Sequence, residues 1–175
     1  MRKIRNALII FITVIAAFIL QTSVFPMLPI SMITPNFLVS LTASYALLLG
    51  SRKGLAIGFV CGLLCDIFFG QVIGFHTLVY ALIGFSLGRF EHLMFVEDMK
   101  FPALLAAGGD FVYGFMSFVF QFLVQNRLIF SYFLTHMILP EMIYTALVTF
   151  LIYPVVLWLH GKYLREIRES EKNFV

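Results

Sequence analysis

The chain has 175 residues, of which 61% are hydrophobic and only 12% charged, with a mass of 20.0 kDa and a mean hydropathy of +0.99. A soluble domain carries about 25% charged residues, so this chain cannot cover a water-facing surface. Soluble enzymes, nucleic-acid binders and disordered tails are thereby excluded. A transmembrane helix needs about 20 residues, so six would use about 120 of them and leave no room for an independent soluble domain.

The first apolar run is Ala7–Phe25, preceded by Arg2, Lys3 and Arg5. A secretory signal has an apolar core of about 7–15 residues and a small-residue cleavage site. This run is longer and no A-x-A pattern follows it, so it reads as a retained span. Pro26 and Pro29 break the chain, and Pro35 opens the second run, Asn36–Leu49, where a proline suits the first helical turn because its missing N–H would be unpaired anyway. The polar turn Gly50-Ser51-Arg52-Lys53 leads to the third run, Leu55–Phe69, and Gly70–Gly74 separates that from the fourth, Phe75–Leu87. Runs two to four span 13 to 15 residues, which is short for a simple crossing. Either they extend through their flanks, or the glycine-bounded turn dips into the membrane within protein.

The polar stretch Arg89–Lys100, with Glu91, Glu97 and Asp98, precedes the fifth run, Phe101–Val124. After Gln125-Asn126-Arg127 the last apolar stretch continues to Trp158, interrupted by Pro140 and Pro154. A helix from Pro140 to Trp158 would be about 28 Å long and just span, leaving Leu128–Leu139 as an interfacial segment. The prediction is an all-α membrane protein: one integral domain of six transmembrane helices over 7–25, 35–50, 54–69, 74–88, 101–124 and 138–158, with a tail at 159–175. Charge placement fits six spans. The N-terminus, the 50–54 turn, the 88–100 loop and the tail hold 11 of the 12 Lys/Arg, and Arg127 alone lies on the other face. Lys/Arg-rich segments are cytoplasmic, so both termini are expected there.

Gly54, Gly58 and Gly62 form a doubled GxxxG that Asp66 continues at the same spacing. Four residues advance a helix by about 400°, so the series shares one stripe. Glycines there let another backbone approach closely, and close packing is the main force between helices in lipid. Gly70/Gly74 and Gly84/Gly88 repeat the spacing, as Ala103/Ala107 do with alanine. Internal packing and an interface to another membrane protein are both open readings. Cys61 and Cys65 lie in the same apolar run and read as small packing residues.

Asp66 and Asp110 are the ionisable groups deepest in apolar sequence. Such residues face a bundle interior, pair with something or stay protonated. An intramembrane aspartyl protease is the enzymatic alternative. Its usual settings, a tyrosine before one acid and GxGD around the other, are absent from Leu63-Leu64-Cys65-Asp66 and Ala107-Gly108-Gly109-Asp110, which favours hydrogen bonding or partner contact. Glu141 follows Pro140 and is expected in a first helical turn, where the helix dipole favours an anion. His76, His92, His136 and His160 are scattered, with no H-E-x-x-H, P-loop or nucleophile elbow, so neither metal nor cofactor is expected. Trp158 and Tyr163 fit an aromatic anchor at the interface, and Glu/Lys/Arg spacings in the tail fit a short helix extending the last span.

Pro35-Asn36-Phe37-Leu38, the turn from Gly50 through Arg52 to Gly54, Gly58-x3-Gly62-x3-Asp66, Gly70, Gly74, Tyr80 and Gly84-x3-Gly88-Arg89 together resemble the bacterial rod-shape-determining MreD family, mainly over residues 35–89. The resemblance implies a non-enzymatic component of the cell-elongation machinery in the bacterial plasma membrane. Its implied partners are the lipid bilayer, MreC, MreB filaments, a SEDS glycosyltransferase and a class B penicillin-binding protein, which together direct peptidoglycan insertion. It also implies a fold similar to the substrate-binding subunits of ECF-type vitamin transporters. On this reading the stripe at Gly54, Gly58, Gly62 and Asp66, or the Gly84/Gly88 face, docks a transmembrane helix of a partner such as MreC. A transporter subunit is the rival, and it would need a polar, aromatic-lined pocket near Gln71, His76, Asp110 and Gln121. The Ala-x3-Ala docking face of such subunits is missing from the first run, which has only Ala7, Ala16 and Ala17.

Overall fold

The computed structural model describes residues 2–27, 33–70, 72–93, 99–125 and 130–172. Expectations that fall on Pro29, Gln71, Glu97, Asp98 and Arg127 lie outside these. Among the described residues every regular element is helical: α1 (Arg2–Ile19), α2 (Phe37–Leu49), α3 (Ser51–Phe69), α4 (Phe75–Leu87), α5 (Lys100–Gln125), the short α6 (Phe130–Phe133) and α7 (Leu139–Lys172). A π-turn (Leu20–Val24) and a 3-10 turn (Phe25–Met27) prolong α1, and a second π-turn (Leu134–Ile138) joins α6 to α7. The described residues therefore form six helical rods. Three of them, over Arg5–Met27, Lys100–Leu123 and Phe130–Leu159, are long and apolar enough to cross a membrane.

α2 is the axis of the bundle. All of its residues are buried, and it touches α1, α3, α4, α5 and α7. Its 13 residues cover about 20 Å at 1.5 Å per residue, less than a bilayer's hydrocarbon core of about 30 Å. A helix so enclosed needs no polar face, which explains why its sequence is apolar all round. Leu38, Val39, Leu41 and Tyr45 pack there with Val14 of α1, Cys61 and Cys65 of α3, Tyr80 of α4 and Tyr153 and Val156 of α7. The outer surface is the reverse of a soluble protein's: Ile67, Phe68 and Phe69 are 64%, 63% and 62% exposed. Apolar patches of that kind call for lipid or protein cover.

Two predicted boundaries move. Pro35 lies before the helix, not in its first turn. Asn36 is the N-cap, its side chain accepting from the Val39 N–H at 3.1 Å. The first turn of α2 is also served from α1, since Leu38 N–H donates to Gln21 Oε1 at 3.2 Å. Gln21 sits within the π-turn; such turns bulge the helix locally.

The second change is at the far end of the chain. The predicted start at Pro140, with a separate interfacial segment before it, is absent. Helical backbone runs from Phe130 past Pro140 to Lys172. Proline lacks the N–H that an α-helix interior needs, and here a π-turn immediately precedes it, with Leu139 N–H donating to the Leu134 carbonyl. Glu141 is in the first turn of α7, but helical backbone precedes that turn, so the dipole argument for an acid there loses much of its force. The predicted extension of the last helix into the tail is present as far as Lys172, and Trp158 is 82% exposed, as an interfacial anchor requires.

Candidate functional site

The glycine stripe on α3 faces α4. A Cβ added at Gly58 would lie 2.7 Å from the Tyr80 carbonyl carbon, one at Gly62 would lie 2.5 Å from Thr77 Cα, and one at Gly84 would lie 2.6 Å from the Gly54 carbonyl carbon. A Cβ added at Gly88 would likewise lie 2.5 Å from Ser51 Cα. These are backbone atoms, so no rotamer change makes room. The GxxxG spacing thus operates inside the hairpin, and an outside helix cannot use the same stripe. Gly70 and Gly74 behave differently from the packing pair that their spacing predicts. Gly70 ends α3, its N–H donating to the Asp66 carbonyl at 3.1 Å. Gly74 has φ of +105° with nothing within 4 Å of an added Cβ, so it is needed for its left-handed backbone.

Asp66 ties this hairpin shut. Gly74 N–H and Thr77 N–H donate to its Oδ2 at 2.9 Å each, and His76 N–H donates to Oδ1 at 3.0 Å. The Thr77 hydroxyl donates to Oδ2 as well. Gly74 is the N-cap of α4, so an acid from the end of one helix supplies the acceptors for the first-turn N–H groups of the next. The negative charge also lies at the positive end of that helix. Four donors around a side chain 2% exposed make Asp66 a satisfied structural group.

A second polar cluster joins α2, α4, α5 and α7. Asn36 N–H donates to Thr145 Oγ1 (3.0 Å), whose hydroxyl donates to Asp110 Oδ2 (2.9 Å). Tyr80 OH donates to Asn36 Oδ1 (2.8 Å). One turn further on, Ser40 Oγ donates to the Thr145 carbonyl (3.2 Å), and the Thr149 hydroxyl lies 3.0 Å from Ser40 Oγ and 2.7 Å from that same carbonyl. Asn36 and Asp110 are therefore brought together through Thr145. Pro35 and Arg52 belong to neither cluster; Arg52 is exposed at the start of α3. Beside the network, Tyr113 OH is 3.3 Å from His76 Nδ1, and its ring meets Tyr80 at 5.2 Å between centroids.

The two aspartates engage different partners on different helices, so they do not form the shared dyad of an aspartyl protease. Among the described residues no group of three or more His, Cys, Asp or Glu could hold a metal ion. Sequence reasoning missed Thr145, Thr149 and Ser40. Their signal is modest: Ser40/Ser44 and Thr145/Thr149 repeat at four residues within apolar runs, and small polar side chains at that spacing act as hydrogen-bonding glue between membrane helices. At the loop side of the bundle, Gly50 turns the chain with φ of +85°, and the Glu91 carboxyl carbon lies 3.2 Å from where its Cβ would be. That places an acid at the positive end of α3. Arg89 lies over the Phe85 ring at 4.8 Å, a cation–π contact.

No curated protein and no solved structure matches the chain, so the expected likeness to transporter subunits gains no support. A family model described as rod shape-determining protein MreD matches residues 1–163. That covers α1 to α6 and α7 up to residue 163, including the glycine hairpin, both aspartates and Thr145. The chain is a membrane protein that belongs to the MreD family, and its role lies in rod-shape determination.

Proposed function

We propose that the chain is a non-enzymatic membrane scaffold of the cell-elongation machinery, coupling to MreC and, with it, to the SEDS glycosyltransferase, the class B penicillin-binding protein and MreB. The observation that carries this reading is the state of Asp66. The most suggestive acid in the sequence has its acceptors engaged by the first turn of α4, so it holds structure together and does not face a substrate. The family match supports the shape-determining context, and the apolar outer faces offer contact surface to lipid and to partner helices. In this reading the chain crosses the membrane six times with both ends cytoplasmic, supported by the one-sided placement of Lys and Arg.

The test is replacement of the native family member in a rod-shaped bacterium by a tagged copy of this chain. Rod shape should be restored, and MreC should co-purify from mild detergent. Spherical cells despite normal membrane insertion, or no MreC in the purified fraction, would overturn the reading. Single cysteines placed at Arg5 and Lys172 should both be labelled only from the cytoplasmic side; labelling of either from outside would break the topology.

A further inference from the structure

Asp110 is 2% exposed, and its Oδ1 has no hydrogen-bond partner among the described residues. Its polar neighbours, Thr145 and Asn36, are both neutral. A second acid stands close by. Glu141 is one helical turn from Thr145 on the same face of α7, and the carboxyls of Glu141 and Asp110 are near enough for their charges to act on each other. The register agrees, because Gly114 of α5 packs against Ile138 while Asp110 meets Thr145, which sets Glu141 opposite Asp110–Gly114. Unlike Asp66, with its four donors, Asp110 has the Thr145 hydroxyl on Oδ2 and, among the described residues, no partner on Oδ1, and two ionised carboxyls so placed would be costly in a low-dielectric setting.

A further buried atom on the same stripe of α5, Ser117 Oγ, also has no partner among the described residues. It lies two turns from Asp110, about 10 Å along the helix at 1.5 Å per residue. Aromatic faces flank the stretch between them: Tyr113 packs on Tyr80 and, at 5.8 Å, on His76. Glu141 is only partly buried, which leaves the pair an approach from the bundle surface.

We propose that Asp110 and Glu141 seat a protonated primary amine between α5 and α7, approached from the partly buried Glu141 side. The chemistry selects this class. A proton shared between the two carboxyls would also relieve the charge, and it differs from a bound cation in leaving a carboxylic-acid infrared band. A guanidinium prefers both oxygens of one carboxylate, and Oδ2 is already taken by Thr145. An ammonium is a compact cation with three N–H donors, which matches one free oxygen on each of two acids, and aromatic faces stabilise it further. The amine has two conceivable sources, a free alkylamine or the lysine side chain of a neighbouring protein. This inference does not depend on the scaffold reading.

The test is thermal unfolding of the purified full chain in detergent, titrated with butylammonium, tetramethylammonium or sodium chloride at matched ionic strength. Butylammonium should raise Tm saturably, as a ligand of the folded state does. Tetramethylammonium has the charge without N–H donors, and neither it nor sodium should do so. Asp110→Asn and, independently, Glu141→Gln should each weaken the apparent affinity about tenfold, the scale of one charge-assisted hydrogen bond; Glu141→Gln serves alone if Asp110→Asn does not fold. Equal shifts with the other two salts, no shift at all, or a shift that survives the substitutions would overturn the proposal. So would an infrared carboxylic-acid band that Asp110→Asn removes, since a proton would then fill the seat. Tighter binding of Nα-acetyl-lysine amide than of butylammonium would assign the amine to a protein side chain, and the reverse order to a free amine; both agree with the site.

Discussion

The α3–α4 hairpin and the α5–α7 contact solve the same problem, holding helices together in lipid, by opposite means. In the hairpin, glycines bring backbone onto backbone, with Gly54, Gly58 and Gly62 against Gly84, Tyr80 and Thr77. Its one acid is saturated with donors. Between α5 and α7 the contact is made by side chains: Thr145 bridges Asp110 and Asn36, Ile138 fills against Gly114, and an oxygen of Asp110 is left over. A fully paired polar group contributes rigidity, whereas a partly paired one in low dielectric is held at a cost. The comparison teaches that depth in apolar sequence does not by itself say how fully an acid is paired; the donors that the neighbouring helices bring to it decide that.

The largest expected effect lies in the hairpin. Gly58→Leu would drive a side chain into the Tyr80 backbone, where only separation of the two helices makes room. Overpacking a well-fitted core costs about 1–3 kcal/mol when side chains can yield, and backbone cannot yield, so the loss should exceed about 3 kcal/mol. Size-exclusion chromatography in detergent should show aggregated protein with no monodisperse peak. A folded, monodisperse Gly58→Leu variant would show that α3 and α4 are not in backbone contact.

Asp66→Ala comes next. It strips acceptors from the N–H groups of Gly74, His76 and Thr77 together, and each orphaned buried donor costs about 1–3 kcal/mol; fraying of the first turn of α4 relieves part of that, giving about 2–4 kcal/mol in all. Amide exchange should accelerate at those residues while α2 stays protected. Asp66→Asn retains one carbonyl acceptor and should fall between the variant and the native protein. If α2 loses protection together with α4, the acid supports the whole bundle and the contrast between the two regions is less sharp.

Much of this was readable in advance, and the limit has a physical origin. The apolar runs mark the helices because burial and lipid both demand apolar side chains, and α2, α3 and α4 lie where those runs lie. Glycine spacing gave away the stripe, since four residues return nearly to the same face. The donors for Asp66 were hidden because they are backbone groups of Gly74, His76 and Thr77, brought round by a turn whose geometry depends on one left-handed glycine. The π-turn at Leu134–Ile138 was hidden as well: nothing in Leu-Thr-His-Met-Ile favours a π-turn over an α-helix, and Pro140 read locally as a helix start. Thr145 escaped because one hydroxyl in an apolar run resembles filler until its partners on two other helices are known.

On the α5–α7 side, Thr145→Val keeps the shape and removes the bridge. Asn36 N–H loses its acceptor and Asp110 its one bonded donor, at a cost of about 1–3 kcal/mol. The fall in Tm should be smaller than for Asp66→Ala, because two groups are orphaned instead of four. Thr145→Ser, which keeps the hydroxyl, should recover most of it. No recovery with serine would mean that the methyl contact, and not the bridge, matters at this position.

The smallest effect reverses sign and separates the two uses of glycine. Gly108 lies in α5 on the exposed side, has no atom within 4 Å of an added Cβ and has no positive φ. Alanine there meets nothing and removes backbone freedom from the unfolded chain, so Gly108→Ala should stabilise by about 0.5–1 kcal/mol. Gly74 has equally open surroundings but φ of +105°, and Gly74→Ala should therefore destabilise by about 1 kcal/mol through backbone strain alone. The same added methyl group in equal space, with opposite outcomes in thermal unfolding, isolates conformation from packing. If Gly108→Ala destabilises while insertion is normal, some group outside this chain approaches α5 at that point, and the open face of the helix is a contact surface after all.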